Sequence, residues 1–204
     1  VGQVKALKVF SRDLVLFRTS TGEVSVLDAF CPHLGAHLGH GGCLDEDRLV
    51  CPFHAWKFAA DGSIAEIPYA KKIPKKTALH AWPVVERNGM IFVWHDLADR
   101  DPLWEVPEIP EVEDPAFTAP RFREWTVKSC NQEMAENQVD AAHFLYLHGT
   151  AKMPVTKTTR KGIHLHTTST TAMTTPGGMV EGAIEVNAWG FGFTTTRFTG
   201  LVET

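Results

Sequence analysis

The chain has 204 residues, 44% hydrophobic and 22% charged, with a formal net charge of −4. That length buries a core in one large or two smaller domains, and the acidic balance offers nothing to nucleic acid or to an anionic membrane surface. No run of about 18 apolar residues occurs, so no membrane span is expected.

The opening "VGQVKALKVF" lacks an initial Met and reads as a strand, with no targeting segment in view. "DLVLFRTSTGEVSVLDAF" reads as a hairpin turning at "STG", "WKFAADGSIAEI" as another around Asp61-Gly62, and "GMIFVWHD" as a further strand. Residues 1–96 are therefore expected to form a small all-β domain. Residues 97–120 carry five of the twelve prolines among many acids, and are expected to be an extended inter-domain connector. A strand is predicted over "FREWTVKSC", then a helix from about Gln132 to Leu147 and a loop around "GTAKMP". Strands follow over "GIHLHTTSTTAMTT", "MVEGAIEVNAWG" and "FGFTTTRFTGLVE", the first two joined by a "PGG" turn. Residues 121–204 thus read as an α+β domain whose Thr-rich antiparallel sheet is left unfinished. Both ends read as cut, and the chain is expected to be a fragment.

The four cysteines, Cys31, Cys43, Cys51 and Cys130, are too sparse for a disulfide scaffold; metal-bound thiolates in a reducing cytoplasm are expected instead. Two mixed pairs stand out: Cys31-Pro32-His33 and Cys51-Pro52-Phe53-His54, 17 residues apart. Each offers one thiolate and one imidazole from a tight loop. Such a set suits a tetrahedral zinc or a Rieske [2Fe–2S] centre, in which two His replace two Cys on one iron. Zinc fingers generally pair like with like, whereas mixed pairs let one iron take both Cys and the other both His. His37 and His40 read as loop histidines, Cys43 as a small packed side chain, and Trp56 as a cover over the metal.

"CPHLGAHLGHGG" with "CPFHAWKF" resembles the Rieske domain of the ring-hydroxylating oxygenases. Rieske proteins of respiratory complexes carry an extra Cys in each loop, joined as a disulfide. The matching positions here are Ala36 and Phe53, so the resemblance is to the oxygenase or ferredoxin branch.

A ferredoxin would stop near residue 100, but this chain continues into "NQEMAENQVDAAHFLYLH". On a helix Glu136, Asp140 and His143 share a face. His148 lies about 140° away from it, so both His reach one metal only through a π-type turn or a helix end before Gly149. Two His and a carboxylate on one face of a metal form the facial triad of non-haem Fe(II) oxygenases. "E-N-x-x-D-x2-H-x4-H" resembles the mononuclear iron motif of the Rieske oxygenases. The resemblance implies His143 and His148 as iron ligands and Asp140 as an acidic bridge that hydrogen-bonds His143 and, in trimeric members, a cluster His of the neighbouring subunit. It also implies Asn137 near the iron, an auxiliary Glu136, and a third ligand far downstream that no residue here matches. Glu181, Glu185 and Glu203 read as solvent-facing or strand-end residues, and Trp189, Phe191 and Phe193 as core or pocket aromatics.

"EIPYAKKIP", "GMIFVWHD" and "NQVDAAHFLYLH" are similar to the oxygenase component of 3-ketosteroid 9α-hydroxylase and to cholesterol 7-desaturases. The resemblance implies an all-β Rieske domain followed by a helix-grip (START-like) catalytic domain, truncated at its C-terminus. It further implies a [2Fe–2S] cluster, a mononuclear Fe(II), O2 as co-substrate and a homotrimer. An NAD(P)H-dependent flavin and iron–sulfur reductase would supply electrons, and a steroid-like molecule would be hydroxylated or desaturated. A Rieske ferredoxin acting only as electron carrier is the rival from another class, and a zinc-binding module a further one.

Overall fold

The computed structural model describes residues 2–175 and 178–200, in two compact units spanning 1–120 and 121–204. The first unit opens on an antiparallel meander of β1 (Val4–Val9), β2 (Arg12–Arg18) and β3 (Val24–Asp28). Successive side chains of a strand face opposite ways, so Leu14 and Val15 enter different cores. Val15, Phe17 and Leu27 pack with Cys31, Leu38, Leu49, Cys51, Trp56 and Phe58. Leu14 and Val26 pack with Trp82 on the other side. Covered on both faces, β2 reads as the unbroken apolar run "LVLF". Each such side chain contributes about 1.5–3 kcal/mol when fully buried.

A second antiparallel sheet takes β4 (Cys43–Asp45), β5 (Arg48–Val50), β6 (Lys57–Phe58) and β7 (Ile64–Glu66) in chain order. Lys57 Nζ lies 2.7 Å from Asp45 and 2.8 Å from Glu66, tying three of these strands together. The β6–β7 turn requires its glycine: Gly62 has φ +79°, and a Cβ there would run into the Leu79 carbonyl. The Cys31 loop lies between β3 and β4, and the Cys51 loop between β5 and β6. Each is therefore held at both ends by paired strands.

The hairpin of β8 (Val84–Arg87) and β9 (Met90–Val93) completes the first unit's strands. The proline-rich segment after it is extended but fastened. Arg87 donates to the Val106 carbonyl at 2.7 Å, Asn88 Nδ2 to that of Pro107 at 2.9 Å, and Asn88 Oδ1 accepts the Ile109 N–H at 2.8 Å. Val106 is buried, and Pro110–Val112 forms a 3-10 turn.

The second unit departs from expectation in three places. No strand forms over 121–130: Phe122, Trp125 and Val127 are exposed, and the run pairs with no strand among the described residues. The single helix expected over 132–147 is two short ones, α1 (Asn131–Glu136) and α2 (Ala142–Tyr146). Asp140 causes the break: its Oδ1 takes the Ala142 N–H at 2.8 Å, a local bond that competes with helix continuation. An unpredicted strand, β10 (Val155–Lys161), precedes β11 (His164–Thr175), β12 (Gly178–Trp189) and β13 (Phe193–Thr199) in one antiparallel sheet. Its polar sequence hid it. Thr156 and Thr158 bond Ser169 and Thr167 across the strands at 2.9 and 3.1 Å. The first two residues of the expected "PGG" turn, Pro176 and Gly177, lie outside the described residues, as do Leu201, Val202, Glu203 and Thr204.

Candidate metal centres

The two cysteine loops share one hydrogen-bond frame. Cys31 N–H bonds the Ala36 carbonyl at 2.9 Å, and Gly35 N–H bonds the Cys31 carbonyl at 2.8 Å. In the second loop Cys51 N–H bonds the Trp56 carbonyl at 2.8 Å, and Ala55 N–H bonds the Cys51 carbonyl at 3.1 Å. The residue before each closing position is left-handed, Gly35 at φ +74° and Ala55 at φ +55°. Within this common frame His33 sits two residues after its Cys and His54 three.

The loops bring the four sequence-predicted donors together. Cys31 and Cys51 are 2% and 3% exposed, and the His33 and His54 rings lie 4.6 Å apart edge to face. Burial, with the neighbouring Cys51, pushes the Cys31 thiol up to about 11 against the lowering effect of the His33 backbone N–H. Nδ1 of His33 and Nδ1 of His54 are both buried without a hydrogen-bond partner. One orphaned buried acceptor or donor costs about 1–3 kcal/mol, so two of them beside two buried thiols fit a ligated group. Among the described residues no three His, Cys, Asp or Glu side chains form a group that could hold a single metal ion. In a Rieske centre two metal ions divide such donors, one iron taking both Cys and the other both His.

Trp56 lies flat against His33, with centroids 4.8 Å apart and planes 9° apart, and is 7% exposed. Its indole N–H donates to Tyr69 Oη at 2.7 Å. Tyr69 is a site residue that sequence reasoning missed; the signal was the need of a buried indole for an acceptor. His37 accepts the Gly39 N–H at 3.1 Å and packs on Phe30 and His40, so both extra histidines shape the loop. Cys43, expected to be packed, is exposed at the start of β4, where it is paired with Val50 at the edge of its sheet.

In the second unit the His143 and His148 rings are 5.2 Å apart. The helix end brings them there. Leu147 N–H bonds the His143 carbonyl at 2.7 Å, and His148 N–H reaches the same carbonyl at 3.3 Å, an i→i+5 bond of the π type. Gly149, at φ +66°, then turns the chain away, with Thr150 N–H on the Phe144 carbonyl at 3.0 Å. His143 Nδ1 is 2.6 Å from the Asp140 carbonyl and 3.6 Å from Asp140 Oδ2. The backbone carbonyl thus makes the closer contact, while the half-exposed carboxylate puts Oδ1 on the Ala142 N–H and Oδ2 toward His143. This contact favours the Nδ1–H tautomer and leaves Nε2 of His143 as the donor for a metal. Asn137 ends α1, Glu136 accepts from Gln132 at 2.8 Å, and Gln138 Nε2 donates to Thr194 on β13 at 2.9 Å, tying the helices to the sheet. No third His, Cys, Asp or Glu joins the pair among the described residues. Glu185 instead faces His166 and Asn187, which hold its carboxyl below the usual range; Glu181 is exposed near Lys152. Trp189 stacks on His164, Phe193 is buried and Phe191 is exposed.

Residues 1–83 match the Rieske [2Fe-2S] domain, and residues 93–200 match the 3-ketosteroid 9alpha-hydroxylase C-terminal domain. Cholesterol 7-desaturase nvd 1 of Ciona intestinalis is 40% identical over 147 residues, covering 72% of this chain and 31% of that protein. The 3-ketosteroid-9-alpha-monooxygenase oxygenase component of Rhodococcus rhodochrous is 38% identical, covering 72% of this chain and 39% of its own. The chain thus spans roughly a third of the length of such relatives, 31% and 39% in these two. Among solved structures, dicamba monooxygenase bound to dicamba superposes with a TM-score of 0.66 at 22% identity, covering 100% of this chain and 64% of that one. NdmB of Pseudomonas putida CBB5 gives 0.69 at 18% identity, with 95% and 66% covered. Sequence thus shows a Rieske [2Fe-2S] domain followed by a 3-ketosteroid 9alpha-hydroxylase C-terminal domain, in a fold shared with those solved structures. The chain belongs to the family of the 3-ketosteroid 9α-hydroxylase C-terminal domain.

Proposed function

We propose that the whole protein takes electrons from a reductase and uses O2 to hydroxylate a steroid-like substrate. The reading divides the chain into a Rieske domain over 1–96, a connector over 97–120 and part of a START-like helix-grip catalytic domain over 121–204. Cys31, His33, Cys51 and His54 would hold a [2Fe–2S] cluster, and His143 with His148 a mononuclear Fe(II). Bound there, the first supplies electrons singly and the second activates O2. The observation that carries the proposal is that one chain holds both constellations, the Cys2His2 loops and the His143–His148 pair with Asp140 against it.

The chain's own residues have definable tasks. Trp56 shields His33 from water, and the Asp140 carbonyl fixes the His143 tautomer. The half-exposed Asp140 carboxylate would receive a hydrogen bond from an imidazole of a neighbouring copy in a homotrimer. Asn137, which ends α1, would be a polar neighbour of the iron. The electron source is an NAD(P)H-dependent flavin and iron–sulfur reductase. Sparse free cysteines suit a reducing cytoplasm, and no helix among the described residues is long and apolar enough to cross a membrane.

Desaturation is the second reading, favoured by the 40% identity to a cholesterol 7-desaturase. Oxygen uptake by the complete protein with a reductase and a steroid panel tests both. Product mass decides between them: gain of an oxygen atom means hydroxylation, loss of a hydrogen pair desaturation. Reduction of the protein without substrate-dependent uptake would leave only the electron-carrier role.

A further inference from the structure

The segment 69–76, "YAKKIPKK", places Lys71, Lys72, Lys75 and Lys76 within six residues of a chain whose net charge is −4. All four are exposed, and among the described residues none forms a salt bridge. Three lysines elsewhere lie near acids, Lys57 beside Asp45 and Glu66, and Lys8 and Lys152 at 3.8 Å from Asp13 and Glu181, but nowhere else in the sequence do four lysines fall within six residues. Tyr69 and Ile73, interleaved with the lysines, are 61% and 42% exposed, and Pro74 stiffens the loop. Exposed apolar side chains ringed by unpaired like charges are the composition of a protein-docking patch.

The loop is also wired inward. Tyr69 Oη accepts the Trp56 indole N–H at 2.7 Å, and Trp56 stacks on His33 at 4.8 Å. Ile67, two residues before Tyr69, is buried in the same core as Cys31 and Cys51. We propose that segment 69–76 is the docking surface for an acidic electron-carrier protein that delivers electrons to the centre held by Cys31, His33, Cys51 and His54. This rests on the cluster assignment above. One electron leaves the reduced carrier and enters the oxidised centre; no bond is made or broken. A plant-type [2Fe–2S] ferredoxin lies at lower potential than Rieske centres, so the transfer runs downhill. An anionic lipid surface would use the same charges but not the path through Tyr69 and Trp56 to His33. The acidic protein is therefore the occupant.

The test uses the cluster-loaded protein, an acidic plant-type ferredoxin and photoreduced deazaflavin as an uncharged small reductant. Bleaching of the visible absorption reads electron entry, and calorimetric titration with oxidised ferredoxin reads docking. The variants are the fourfold Lys→Gln change and, separately, Lys71→Glu with Lys72→Glu. Steering by complementary charge is worth about 10- to 1000-fold in rate at low salt. Both variants should lose about tenfold or more with ferredoxin, together with the titration heat, while reduction by deazaflavin stays unchanged. Raising salt to about 1 M, where the Debye length is about 3 Å, should bring wild type down to the variants. Equal ferredoxin rates in wild type and variants would overturn the proposal. So would lysine-dependent binding to phosphatidylserine vesicles without any effect on ferredoxin. A wild-type protein that is colourless after iron–sulfur reconstitution would instead remove the cluster assignment, and the docking role with it.

Discussion

Cys51 and Cys43 make a controlled comparison, since both lie in the same stretch and only one is buried beside an unpartnered imidazole. Cys51→Ala should abolish the visible absorption and EPR signal of the reconstituted protein, whereas Cys43→Ala should leave both intact. Loss of signal in the Cys43 variant would reassign the ligands. Asp140 offers a second test. Its carbonyl supports His143, and a side-chain change leaves that contact in place. Asp140→Asn should therefore keep mononuclear iron content near wild type while lowering turnover of the complete enzyme by about 10- to 100-fold, the usual cost of losing a carboxylate that tunes a metal ligand. Iron analysis and single-turnover kinetics separate the two effects; undiminished turnover would rule out the bridging role. The four donors were legible in the sequence because each Cys carries its His within three residues. Tyr69 was not, because its partnership with Trp56 spans 13 residues and depends on how β6 and β7 turn. The packed Cys43 was misjudged for a similar reason: a single residue's spacing says nothing about which edge of a strand it occupies.

Elements repeat the lesson with a different cause. The hairpins of the first unit announced themselves through turn chemistry, and the Asp61-Gly62 turn lies where its sequence puts it. The strand expected over "FREWTVKSC" had aromatic and β-branched residues yet joins no sheet among the described residues, and β10 joins one without alternation of polarity. Pairing is a property of the sheet, which a local pattern does not carry. The twin cysteine loops give an element-level prediction. Gly35 and Ala55 hold the same left-handed position, so the Cβ strain of about 1–2 kcal/mol is already present at Ala55. Gly35→Ala should lower the melting temperature of the cluster-loaded protein by several degrees, and Ala55→Gly should change it little or raise it. An unchanged melt for Gly35→Ala would mean that the frame tolerates more than its φ implies. The turn at the start of the proline-rich segment adds a pH dependence. The Arg100 guanidinium, helped by the Ala98 N–H, holds Asp96 down to about 2, from an ordinary 3.8. A carboxyl depressed on folding stabilises in full above its unfolded pKa, and that contribution disappears as pH falls through the folded one. Melting curves between pH 5 and about 2 should thus fall less steeply for Asp96→Asn than for wild type, with identical slopes counting against the ion pair.

At the scale of the whole molecule the two metal centres differ in completeness. All four cluster donors belong to the first unit, whereas the His143–His148 pair has no third ligating side chain among the described residues. Fe(II) needs a carboxylate to complete the facial set. A preparation of residues 1–204 should accordingly carry the iron–sulfur chromophore with mononuclear iron well below stoichiometric, as read by metal and sulfide analysis. Near-full mononuclear iron with substrate-dependent oxygen uptake would show that a carboxylate within these residues serves as third ligand. The hydrogen bonds from Arg87 and Asn88 to the backbone at 106, 107 and 109 carry one more consequence, for anyone dividing this chain into pieces. Severing it at residue 96, where the strands stop, strips a clasp from the β8–β9 hairpin and leaves the berth of Val106 open to water. Severing it at Pro120 keeps clasp and berth intact, so the portion able to stand alone is longer than its β-strands suggest.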